Sequence, residues 1–123
     1  DVCARHLLTA HGLRSLAPGD PAYIGQYGGG RHRRDAAYHQ GSVWGWLIGP
    51  FVTAHLQVYR DPALARSFLT PLLHQLASHG VGSLSEIFDG DPPFAPRGCI
   101  AQAWTVAEVL RAWRATEEAT NEA

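Results

Sequence analysis

Methionine and lysine are both missing from this chain of 123 residues, and its ten basic side chains are all arginine. The arginine bias points to a GC-rich genome before it points to any function. With no methionine, and with residues 1–10 reading as the middle of a helix, the expectation is a piece of a longer polypeptide. Cysteine is nearly absent too: Cys3 and Cys99 lie far apart, in neither a redox nor a zinc spacing. Compartment logic for cytosolic thiols weighs against a disulfide between them. No apolar run approaches the roughly 20 residues that span a bilayer, and no basic n-region followed by an apolar stretch opens the chain. Charge of either sign is not in excess. The net charge is −1, the sequence pI is about 6.7, and the one basic cluster, Arg31, Arg33 and Arg34, runs directly into Asp35. Nucleic acid and anionic membranes are therefore not expected as partners. Runs of alternating polarity long enough for a sheet are absent as well, so the expected fold class is all-α.

What is present is enough apolar material for a core: 46% of residues are hydrophobic and 17% charged, which excludes a disordered chain. Four helical segments are predicted. The first covers residues 2–11 and is closed by Gly12. The second follows Ser42 as N-cap and runs to about Tyr59; its apolar residues face every direction, as in a helix buried on all sides. The third starts at Asp61 as N-cap with Pro62 at the first helical position, and Gly80 stands just past its end. The fourth covers about residues 99–116. Gly49-Pro50 and Pro71 are expected to kink their helices. One domain over residues 1–116 is followed by a polar tail, residues 117–123, expected to fray. The loops 14–41 and 81–98 are far longer than the usual 2 to 8 residues between helices, and such loops are commonly functional.

Two stretches carry the chemistry. Residues 83–93 place Glu86, Asp89 and Asp91 in a Gly- and Pro-rich loop, with Glu86 between Leu84 and Ile87. A carboxylate held among apolar side chains is the kind of group that serves as general acid or base. From spacing alone the plainer reading is favoured: Asp89 and Asp91 form turns and Glu86 is solvated. Residues 34–46 join charged, amide, imidazole and aromatic groups ahead of a buried helix, the mixture a sugar site needs. Trp46 reads as core. Tyr38, His39 and Gln40 are too polar to be explained by packing. A histidine metal centre is not expected, since His6 and His11, like His74 and His79, fall on different helix faces. Gly28-Gly29-Gly30 does not follow a strand, which fails the phosphate-cradle pattern, and no serine stands in a nucleophile elbow.

In three blocks the chain resembles the C-terminal glucosidase region of glycogen debranching enzymes of the bacterial and archaeal amylo-α-1,6-glucosidase type. They are GLRSLAPGDPAY (12–23), RDAAYHQGSVWGWLIGPF (34–51) and SEIFDGDPPFAPRGCIAQAW (85–104). One departure is Gly45, where the family usually carries Pro in a VWPW run; it should loosen the start of that helix. The resemblance implies a partial (α/α)6 toroid, formed by the C-terminal hairpins of a six-hairpin barrel, and a cytoplasmic enzyme without metal or organic cofactor. It implies hydrolysis of α-1,6-linked glucose in an α-glucan, glycogen or limit dextrin, with inversion. Glu86 matches the general base. Tyr38, His39, Gln40 and Trp44 match the stretch lining the glucose subsite, and Arg97 and Gln102 are placed with them. The family's acid lies on an upstream segment, and Asp35 is the only local candidate here. The upstream part of the same polypeptide is thus the expected partner, and the isolated chain is expected to be inactive and to self-associate through exposed apolar surface. Two rivals stand beside this reading. One is another (α/α)6 hydrolase, glucoamylase- or trehalase-like; the other is a noncatalytic glucan-binding or assembly module.

Overall fold

A computed structural model describes residues 1–122. Its centre is a five-stranded antiparallel sheet in the order β1-β2-β3-β4-β5. The strands are β1 Leu8–Thr9, β2 Gly12–Arg14, β3 Val43–Trp44, β4 Ile87–Phe88 and β5 Pro96–Arg97. The register aligns Leu8, Leu13, Trp44, Ile87 and Arg97 across the sheet, and beside them Arg14, Val43, Phe88 and Pro96.

Six α-helices accompany it: α1 Val2–His6, α2 Arg31–His39, α3 Ile48–Tyr59, α4 Pro62–Ser67, α5 Thr70–Ser78 and α6 Ala103–Asn121. The all-α expectation is therefore overturned, since helix covers 52% and strand 9% of the residues in a mixed architecture. The partial (α/α)6 toroid falls with it, because the segments meant to join helical hairpins pair into a sheet instead. The physical reason is length. Strands of two or three residues are too short to show alternation, whose period is itself two.

The element boundaries shift for related reasons. The segment 2–11 is helical only to His6, and β1 and β2 then form a hairpin in which Gly12, at φ +138°, lies against the Trp44 carbonyl. Any Cβ at that position would overlap the carbonyl, so Gly12 is a sheet-contact residue rather than a helix stop. Ser42 does not cap a helix either: β3 and a 3-10 turn, Gly45–Leu47, precede α3. Pro50 consequently falls in the first turn of α3, where a missing N–H costs nothing, rather than in a helix interior. Gly45 is buried, and a Cβ there would stand 2.6 Å from Thr105 Cγ2, so this glycine admits a close approach of α6 rather than loosening a helix.

Asp61 caps α4 as expected, its Oδ1 accepting the Leu64 N–H at 2.9 Å with Pro62 at the first position. Such a cap is worth about 1 kcal/mol. The chain breaks between α4 and α5 just ahead of Pro71. Beyond Thr116, α6 continues through Asn121, supported by Arg114 to Glu118 at 2.9 Å and by Trp113 Nε1 to Glu117 at 3.0 Å. Of the predicted tail, Ala123 lies outside the described residues.

The core lies where α3, α4 and α6 meet the sheet, and holds Leu13, Val43, Ile48, Val52, Leu69, Leu72, Phe88 and Val109. Fully burying one such side chain contributes about 1.5–3 kcal/mol. In α3 the buried positions Ile48, Val52 and His55 form one stripe, while Pro50, Ala54, Val58 and Tyr59 are exposed. The expectation of a helix buried on all sides is corrected accordingly. No helix among the described residues is long and apolar enough to cross a membrane.

Candidate functional site

Glu86 precedes β4 and is 8% exposed. Its chain segment is one arm of a hairpin extended by backbone bonds: Glu86 N–H to Cys99 O at 3.0 Å, Gln102 N–H to Leu84 O at 2.9 Å and Asp89 N–H to Ala95 O at 2.9 Å. On the opposing arm Gly98 takes φ +66°, and the next backbone N–H, that of Cys99, donates to Glu86 Oε2 at 2.9 Å. The second carboxylate oxygen, Oε1, accepts the phenol hydrogen of Tyr38 from the last turn of α2.

Tyr38 is itself enclosed by rings. Trp44 stands 4.5 Å away, His39 5.0 Å and Tyr27 5.9 Å between centroids, and Trp44 Nε1 donates to the Tyr38 carbonyl at 2.9 Å. Burial, then the hydrogen bond and charge of Glu86, push the Tyr38 phenol well above its ordinary titration range. The charge of Glu86 likewise raises the neighbouring Cys99 thiol. Cys3 and Cys99 are both free and exposed.

The remaining expected residues are placed differently. His39 is exposed and stacks on Trp44 at 5.5 Å and 7°, so Trp44, only 6% exposed, has one face already covered. Arg97 is held not by Glu86 but by Asp89: its Nη2 and Nε donate to Asp89 Oδ2 at 2.9 and 3.1 Å. Gln40 is the C-cap of α2, its carbonyl accepting the Ile24 N–H at 2.6 Å, and Gln102 is the N-cap of α6; both engage their neighbours through the backbone. Asp35 pairs with Arg31 at 3.5 Å on the solvent side of α2, with 67% of its side chain exposed.

Several contributors went unread in the sequence. Asp89, assigned to a turn, is 5% exposed and also accepts the Tyr27 N–H at 2.8 Å; Asp91 accepts the Tyr23 hydroxyl at 2.9 Å. Together they tie the segment carrying Tyr23 and Tyr27 to the Glu86 hairpin. Trp104 is 47% exposed and lies 6.1 Å from both Trp44 and Trp46, presenting the aromatic surface that Trp44 does not. The signal for Trp104 was its place four residues past Ile100 at the head of a helix. The Cys99 N–H had no signal in residue type at all.

Among the described residues no three His, Cys, Asp or Glu side chains gather as a metal-holding group. A cavity of about 810 Å³ is an apolar groove bordered by Ala4, Phe51, Ala54, Val58 and Leu64, and none of the site residues lines it.

A buried carboxylate with one donor on each oxygen, one of them a tyrosine packed among aromatic rings, is suited to accept a proton from a water beside a sugar. A family model described as amylo-alpha-1,6-glucosidase matches residues 1–111. The chain belongs to that family. Membership makes this segment a debranching-enzyme region of glycoside-hydrolase type and bears out the resemblance drawn from the three sequence blocks. Glu86, Tyr38, His39, Gln40, Trp44, Arg97 and Gln102 all fall inside the part matched to amylo-alpha-1,6-glucosidase.

Proposed function

We propose that Glu86 is the general base of an amylo-α-1,6-glucosidase that releases α-1,6-linked glucose from an α-glucan with inversion, in the full-length enzyme that carries this segment. The observation that carries this reading is the Glu86 carboxylate, nearly buried yet bounded by exposed Gly98 and Cys99, with one donor on each oxygen. A carboxylate oxygen has a lone pair left after accepting one hydrogen bond, and that is what takes the proton of the attacking water.

In the reaction the water's oxygen bonds to the anomeric carbon as the glycosidic C–O bond breaks on the opposite face. Glu86 takes the water's proton, and an acid elsewhere in the enzyme protonates the departing oxygen. Inverting enzymes keep the two carboxyl groups roughly 6.5 to 9.5 Å apart to admit that water. Asp35, paired with Arg31 in solvent, does not support the acid's role.

The test is Glu86→Gln in the full-length enzyme. The amide keeps size and one acceptor oxygen but cannot take the proton, so kcat on branched limit dextrin should fall about 10²-fold or more while KM stays nearly unchanged. Turnover at the native rate, or a loss confined to KM, would make Glu86 a structural or binding residue.

A further inference from the structure

We propose that Tyr38 acts through Glu86 rather than on the sugar, as a positioning residue that, together with the Cys99 N–H, fixes the plane of the carboxylate. This rests on Glu86 being the base.

The placement of the hydroxyl argues for it. A tyrosine lining a sugar subsite keeps its O–H free for sugar hydroxyls, but the Tyr38 hydrogen is committed to Glu86 Oε1. A carboxylate on a glutamate has a broad terminal torsion and needs two donors, one on each oxygen, to hold a single orientation. Tyr38 supplies one and the Cys99 N–H, at 2.9 Å from Oε2, the other. The two come from opposite sides in the chain, α2 and the arm after β5, so neither can be replaced by local geometry of the Glu86 loop.

Tyr38 is in turn immobilised. Tyr27, His39 and Trp44 pack on its ring, and the Trp44 indole N–H holds its carbonyl at 2.9 Å. Such packing is what keeps a side chain within the small tolerance that proton transfer demands. The high titration range of the phenol is consistent with this role, since the hydroxyl stays protonated and donating throughout the working pH range. The aromatic surface left for a sugar is that of Trp104 and His39 instead.

A double-mutant cycle in the full-length enzyme tests the proposal. Tyr38→Phe retains the ring and its contacts, and thermal unfolding of each variant reports whether the fold survives. Tyr38→Phe alone is expected to lower kcat on limit dextrin about 10-fold with KM within about twofold. In the Glu86→Gln background the same change should lower kcat by less than about twofold, because a residue acting through an absent group has nothing further to lose. Losses that multiply in the double variant, or a rise in KM alone, overturn the positioning role and leave the base intact. Native turnover in Glu86→Gln overturns both, so the two failures are distinguishable.

Discussion

A single methyl group at residue 98 should damage the site in a way that its backbone strain cannot explain. Gly98 sits at φ +66°, where an L side chain costs about 1–2 kcal/mol. Its Cβ would overlap Glu86 Oε2 and stand 3.0 Å from Ile87 Cγ1 and 3.2 Å from Glu86 Cδ. Ile87 is fully buried and paired in β4 with both Trp44 and Arg97, so it cannot yield. The carboxylate must move instead, by on the order of 1 Å to restore carbon–oxygen contact near the usual separation. A displacement of that size at a reacting group costs about 10²-fold in rate.

Gly82→Ala is the matched control. Gly82 has a similar left-handed backbone, φ +85°, but a Cβ there meets nothing within 4 Å. Both variants should lose about 1–2 kcal/mol in denaturant unfolding from strain alone. Only Gly98→Ala should lose about 10²-fold in kcat on limit dextrin, measured on the full-length enzyme at a temperature where both are folded. Equal kcat in the two variants would refute the reasoning, since it would mean either that Glu86 tolerates displacement or that it does no chemistry.

Two further outcomes are expected. Asp89→Asn should lower the denaturation midpoint by the equivalent of about 1–3 kcal/mol, because the carboxylate that serves Arg97 and the Tyr27 N–H is nearly buried; its effect on turnover should be smaller than that of Glu86→Gln, and an unchanged midpoint would remove Asp89 as a clamp. His11, stacked on Phe88 at 4.9 Å, has its titration lowered by burial, so the folded state favours the neutral ring. The stability this confers is full above the ordinary value of 6.5 and is lost as pH falls through the depressed one. Thermal midpoints measured from neutral to acidic pH should therefore drop more steeply in the native protein than in His11→Gln, and parallel curves would contradict the assignment.

How far these features could be read from residues alone depended on which atoms carried them. The start of α4 was legible because Asp61 and Pro62 act through side chains, a capping oxygen and a fixed ring. The break before α5 was legible for the same reason at Pro71. The helix α2 was not, since it enters from Gly30 without a side-chain cap, begins with Arg31, His32, Arg33 and Arg34, and buries only Ala37. A helix with no capping residue, adverse charge at its positive end and almost no apolar stripe reads as loop, and tertiary contact through Tyr38 and Ala37 must sustain it.

The site shows the same division at a finer scale. Spacing alone favoured a solvated Glu86, and it was the family resemblance that singled this residue out, whereas Tyr38 stood out because its polarity had no packing explanation. The second donor was not visible: the Cys99 donor is a backbone N–H, and it reaches Glu86 only because β4 and β5 pair and Gly98 turns the chain just past β5. An all-helical arrangement would spend most backbone N–H groups within each helix and would leave only those of first turns and loops to face a carboxylate from another segment. The short sheet that composition and periodicity concealed is thus the element that positions the proposed base. It brings residues 86 and 99 into contact and sets β3, with Trp44 behind Tyr38, alongside them.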